Sequence, residues 1–388
     1  VMPRMPEKRA LNGDILYLIF DSANMHRWND HLRTIELTEL DKQAHKAAIA
    51  WVLGKYEETE GGARLDWGRI IERSLFSFIQ RSVMTDLKPQ VFHRVISEKF
   101  EEVNRYVMSC FDADVPDAHP EFRARLEGYL WSEKGSKEDD IIRAAHYLAT
   151  KWEFKTIYDA NRSMYGIEDT KREIDEQISQ HEDLFGVRRQ REDGSTFDFI
   201  DLIGQLRFQQ RWARTPRIPR TSVLGHSLMV ADMIFLNDFD RGADARQVYN
   251  NYYTALFHDL PEVLTKDVIS PIKANVDGLA HLLESYEREL VRSKIMPLVP
   301  AAWHDEIEFM VYDPFTDADG GRFGRRTGRD IKSCDLMAAY IEARASRRYG
   351  ISSKAMQDGE AELRKRLVAS GSGIGAEGIL ERLDVILE

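Results

Sequence analysis

Apolar residues recur at spacings of three and four along residues 41–54, 141–154, 222–237, 284–293, 330–349 and 355–368. That period predicts amphipathic helices, each burying one face. Alternation at period two is scarce, so strands have little support. Pro and Gly punctuate the chain at 214–219, at Val299-Pro300 and through 313–328, where DPFTDADGGRFGRRTG reads as a loop. The pattern predicts an all-α protein made of helical bundles.

The pattern also repeats. Leu18-Ile19 precede Arg27-Trp28 as Leu202-Ile203 precede Arg211-Trp212, 184 positions later. His45 and His226 lie 181 apart, and SLFSFIQRSVMTDLKPQV from Ser74 overlays ALFHDLPEVLTKDVISPI from Ala255 at the same offset. Ile141 to Ala145 overlays Ile331 to Asp335, and Tyr165-Gly166-Ile167 matches Tyr349-Gly350-Ile351. A fixed order with nearly constant offsets predicts a tandem duplication. It divides the chain into residues 1–185 and 196–388, joined by a polar stretch without periodicity.

A length of 388 residues suits two domains, and 43% hydrophobic with 31% charged residues is ordinary for a globular chain. No apolar run approaches the roughly 18–20 residues needed to cross a bilayer. Cys110 and Cys334 sit in different halves and form no metal-type spacing. A reducing cytoplasm is therefore expected. The net charge of −11 argues against long nucleic acid as a partner. Arg207, Arg211, Arg214, Arg217 and Arg220 could still offer a local patch to a small phosphate ester.

The second half alone carries a set of candidate metal ligands. His258-Asp259 places an imidazole beside a carboxylate, with His226 before the pair and Asp335 after it, all in segments predicted to be helical. Two nitrogens and two carboxylates suit one divalent ion (Mn, Co, Zn, Fe, Ni or Mg) without choosing among them. Such an ion lowers the pKa of a bound water, which points to hydrolysis. Glu262 stands four residues after His258, close enough to relay a proton. Pro261 either ends that helix at Leu260 or starts another one turn later. Arg211 offers a planar fork for phosphate, and Trp212 could wall the site.

These residues resemble the HD-domain phosphohydrolase superfamily, most closely its bacterial 5′-deoxynucleotidase branch. The matching stretches are Arg211-Trp212, Gly225-His226-Ser227-Leu228, HDLPEVLTKD from His258 to Asp267, and Lys332 to Tyr340 around Asp335. The resemblance implies His226, His258, Asp259 and Asp335 as metal ligands and Glu262 as the catalytic carboxylate. It also implies phosphate contacts from Arg211 and the neighbourhood of Trp212, and a sugar contact from Asp267. One departure is Gly225, where the family usually has Glu before its first ligand histidine.

At the aligned positions the first half has Ser77-Phe78 for His258-Asp259, Arg81 for Glu262 and Ala145 for Asp335. Catalysis there is not expected, and His45 is left with a structural role. The expected function is removal of the 5′-phosphate from a (deoxy)nucleoside monophosphate by metal-activated water. Triphosphate release from deoxynucleoside triphosphates and non-catalytic nucleotide binding are the alternatives. The inactive half is expected to pack on the catalytic half as an intramolecular pseudo-dimer, with further homo-oligomerisation open. Its alternative role is to sense a nucleotide through Arg27, Arg73 or Arg81.

Overall fold

A computed structural model describes residues 8–84, 89–192, 194–265 and 278–388. Asp267 lies outside the described residues. Helices cover the six predicted stretches: Glu39–Thr59, Lys137–Asn161, Val223–Arg241, Leu279–Leu290, Gly328–Arg348 and Lys354–Ser370. Extended pairing among the described residues is confined to isolated bridges, so the all-α expectation holds. No helix among them is long and apolar enough to cross a membrane.

Two helices form the centre, Glu39–Thr59 in the first half and Val223–Arg241 in the second, and they pack directly on each other. Each begins at a side-chain cap: Thr38 accepts from the amide of Asp41, and Ser222 accepts from that of Gly225. Both are buried on almost every face, which is why their apolar stripe looks blurred in sequence. Aromatic packing continues the core across the halves. Trp51 meets Tyr253, Phe257 and Trp303, and its indole N–H donates to the Tyr249 hydroxyl at 2.9 Å. At the far end, helix Ala376–Ile386 returns to helix Gly13–Asp21, where Arg382 pairs with Asp14 at 2.8 Å.

The same local devices recur in both halves. His26 bridges Thr38 and Gln210 bridges Ser222, a spacing of 184 at both ends (26 to 210, 38 to 222). Trp28 and Trp212 adopt left-handed φ values of 55° and 57°. A bulky residue holds that conformation only when its surroundings fix it. Here each indole N–H is anchored to a buried carboxylate, Trp28 to Glu153 at 2.9 Å and Trp212 to Glu342 at 3.0 Å.

Aligned on this spacing, the two central helices stand three residues away from the 181 offset read in sequence. Counted from the capping residue, Lys42 rather than His45 stands where His226 stands. Counted back from the anchoring carboxylate, His146 rather than Ala145 stands opposite Asp335. His45 is fully buried, with Nε2 donating to the Ile200 carbonyl at 2.9 Å and Nδ1 accepting from Arg207 at 3.2 Å. Burial first, then the Arg207 charge, push its pKa down to about 3.

Two predictions follow from this interface. His45 is neutral in the fold but protonates in the unfolded chain below about pH 6.5. Its contribution to stability is therefore complete above that value and lost as pH falls towards about 3. His45→Gln should flatten the pH dependence of Tm in that window. A Cβ on Gly225 would lie 2.7 Å from Asp41 Oδ1 and 3.1 Å from Leu40 Cγ. Overpacking of about 1–3 kcal/mol should outweigh the roughly 1 kcal/mol gain in helix propensity, so Gly225→Ala should lower Tm.

Candidate metal centre

Helix Ala245–Phe257 stops because Pro261 has no N–H to give to the Phe257 carbonyl. The chain turns through His258 to Pro261 and restarts in the short helix Glu262–Thr265. Of the two outcomes open in sequence, the new helix after Pro261 is the one observed. The turn aims His258 and Asp259 towards His226, on the central helix, and Asp335, on helix Gly328–Arg348.

His258 Nδ1 lies 2.6 Å from the Ala255 carbonyl, which can only accept, so Nδ1 carries the proton. Nε2 is therefore the nitrogen turned towards the carboxylates. It is buried without a hydrogen bond among the described residues, 3.2 Å from Asp259 Oδ2 and 3.9 Å from Asp335 Oδ1. His226 is wholly buried between two carboxylates, its Nε2 2.9 Å from Asp335 Oδ1 and its Nδ1 3.4 Å from Glu342 Oε1. Ligand atoms of His226, His258 and Asp259 all fall within 4.8 Å of one another. A borderline N,N,O set this compact, with one nitrogen bare, fits a divalent metal ion. Asp335 lies beside both histidines, 2.9 and 3.9 Å from their Nε2 atoms, outside that compact group of three.

Electrostatics keep the carboxylates charged. Burial opposes ionisation of Asp259, but His258, then Arg211 and His226, hold its pKa at about 2. Burial likewise opposes Asp335, and Lys332, His226 and His258 carry it well below the usual carboxylate range. For His226, burial and Arg211 act downward, while Glu342 and Asp335 prevail and raise it. A metal ion must displace that proton, so binding should weaken in acid.

Two contributors escaped the sequence reading. Glu342 is fully buried; it accepts from Trp212 Nε1 and, at 2.7 Å, from Thr221 Oγ1, and it faces His226 Nδ1. It supplies the carboxylate behind His226 that Gly225 cannot. Helical spacing offered a signal, because Glu342 lies two turns beyond Asp335 on the same helix. Lys332 Nζ sits 2.6 Å from Asp335 Oδ2 and 4.2 Å from the centre of the Phe315 ring, which in turn packs on His258 at 5.5 Å.

The remaining predicted residues divide. Glu262 opens the short helix beside the ligand turn, with one carboxylate oxygen buried and its carbonyl held by Gln209 at 2.8 Å. Arg211 is tied by its backbone N–H to Thr221 and lies 3.8 Å from Glu342. Trp212 packs its ring towards Gly359. The five arginines do not form one patch. Arg207 is buried against Glu153 of the first half, Arg217 is buried on Thr221, and Arg214 and Arg220 are exposed.

Comparison with known proteins places this site in context. Residues 203–363 match the family described as HD domain. Over 150 residues it is 23% identical to a 5′-deoxynucleotidase of Pectobacterium atrosepticum, spanning 37% of this chain and 70% of that protein. A 5′-deoxynucleotidase of Pasteurella multocida is 25% identical over 153 residues, 37% of this chain and 72% of the relative. A solved HD-domain phosphohydrolase from Listeria innocua is 16% identical with a TM-score of 0.41, covering 49% of this chain and 88% of its own.

Glu342→Gln should leave the fold intact and weaken metal binding by about 10- to 100-fold. Calorimetric titration of the metal-free protein checks this, and unchanged affinity would remove Glu342 from the site.

Proposed function

We propose that residues 196–388 form a metal-dependent phosphohydrolase that removes the 5′-phosphate of a deoxynucleoside monophosphate. The observation that carries this reading is the bare, oriented Nε2 of His258 beside Asp259 and His226, within a segment akin to 5′-deoxynucleotidases. A divalent ion on His226, His258, Asp259 and Asp335 supplies Lewis acidity and a bound water of lowered pKa. Arg211 engages a non-bridging phosphate oxygen and offsets developing charge. Glu262 moves the water proton through its carboxylate oxygen. Trp212, pinned by Glu342 in its left-handed conformation, fixes the direction of Arg211 beside it. Asp267 is assigned the sugar contact on the resemblance alone.

The scattering of the arginines favours a monophosphate over a triphosphate. Arg207 and Arg217 are buried away from solvent, which leaves little charge for outer phosphates. Residues 1–185 are read as a second, degenerate HD unit that packs on the catalytic one as a covalent pseudo-dimer. The repeated bridges, left-handed tryptophans and anchoring carboxylates support this. Arg27 is held by Glu39 and Glu153, and Arg73 by Asp139, so those two are occupied structurally and the half serves as a scaffold. The expected surroundings are a cytoplasmic pool of small nucleotides.

Turnover across deoxynucleoside mono-, di- and triphosphates, with each candidate metal added, tests the reading. Inorganic phosphate should appear from monophosphates. Glu262→Gln should lower kcat about 10²- to 10⁴-fold, and Asp259→Ala should abolish activity. Release of triphosphate would favour the alternative substrate class, and full activity in Asp259→Ala would falsify the site.

A further inference from the structure

The first half contains a buried polar cluster that scaffolding does not require. Lys42 and Lys46 lie on the central helix Glu39–Thr59 and are almost wholly buried. Burial lowers the pKa of both, that of Lys46 to about 8. Lys42 Nζ is 2.9 Å from Nδ1 and 3.1 Å from Nε2 of His146. A neutral imidazole has one accepting nitrogen, so at most one of these two contacts is a hydrogen bond from Lys42. Lys46 donates to Gln43 Oε1 at 3.2 Å and to Ser77 Oγ at 2.6 Å. Among the described residues no carboxylate accepts a hydrogen bond from either lysine. The nearby Glu39 and Glu153 are already engaged by Arg27, and Glu153 also by Arg207.

Such an arrangement is costly by itself. A buried cation without a counter-charge costs several kcal/mol. The arrangement becomes intelligible when set against the other half. Lys42 follows its capping residue by four positions as His226 does, and His146 precedes its anchoring glutamate by seven as Asp335 does. Ser77, which the 181 offset read in sequence sets opposite His258, lies beside Lys46. Where the second half sets two carboxylates beside its histidines, the first half sets two buried lysines whose nearby carboxylates, Glu39 and Glu153, are shared with Arg27. His146 and Ser77 are only partly buried, so the cluster reaches solvent on that side.

We propose that Lys42, Lys46, Ser77 and His146 bind a phosphate group, carried either by inorganic phosphate or by a nucleoside monophosphate. The two lysines supply the charge and unspent donors, Ser77 a hydroxyl, and His146 a neutral ring nitrogen that takes the Lys42 proton side. The correspondence with the metal centre rests on reading the first half as an HD unit, whereas the lysine pair stands without it.

The test uses the full-length chain carrying Arg211→Ala and Asp259→Ala, so that binding at the catalytic site is weakened and turnover plays no part. Inorganic phosphate and deoxyadenosine 5′-monophosphate are titrated separately by calorimetry, and Tm is followed with each. One equivalent of phosphate should bind and raise Tm. Adding Lys42→Met and Lys46→Gln should cut affinity by more than about tenfold while leaving the Tm without ligand near its starting value. Ser77→Ala, a milder change, should weaken binding with the fold preserved if the double variant fails to fold. Tighter binding of the nucleotide identifies it as the carrier, and equal affinity identifies the phosphate group alone. Absence of binding at millimolar phosphate, or binding unaffected by the lysine and serine changes, overturns the proposal.

Discussion

The buried Glu342 carboxylate is the point on which the candidate metal centre depends. It accepts hydrogen bonds from Trp212 and Thr221, faces the proximal nitrogen of His226 and lies within ion-pair range of Arg211. Burial alone would protonate it, but Arg217, His226 and Arg211 keep it ionised. One side chain thus joins three parts of the site. It holds the left-handed backbone at Trp212, faces the ring of the candidate ligand His226, and lies within ion-pair range of Arg211. A buried charge with this many partners is costly to disturb, because removing one leaves the others uncompensated. Glu153 does the same for Trp28 and Arg27 in the first half, without a metal site beside it.

Much of this was legible in the sequence. Helical periodicity located the long helices to within a few residues, and the HD pair with His226 and Asp335 named the residues that the fold gathers. Pro261 signalled the break that orients His258, although the sequence left open on which side the helix would end. The gaps have physical causes. Glu342 carries only its two-turn spacing from Asp335 as a mark, since a glutamate in a helix is most often solvated, and tertiary burial gives it a role. The arginine run looked like one patch because proximity along the chain says nothing about direction. The fold sends Arg207 into the first half and Arg217 inward.

The register of the repeat shows the same limit. Two histidines 181 apart invited a match, yet the bridges, caps and left-handed tryptophans keep a spacing of 184. A shift of three residues is almost one helical turn, so both alignments preserve the apolar face and sequence alone cannot separate them. On the proposed duplication, the caps set the buried Lys42 opposite His226, and the anchoring carboxylates set His146 opposite Asp335. His45 becomes an interface residue tied to Ile200 and Arg207.

The account centres on one cation held by His226, His258, Asp259 and Asp335, with none in the first half. Anomalous X-ray diffraction from crystals grown with manganese, paired with elemental analysis of the same protein, measures that directly. The account predicts a single anomalous peak among those four side chains, one metal per chain, and loss of both signals in His258→Ala. A peak elsewhere, or metal content unchanged in that variant, would contradict it.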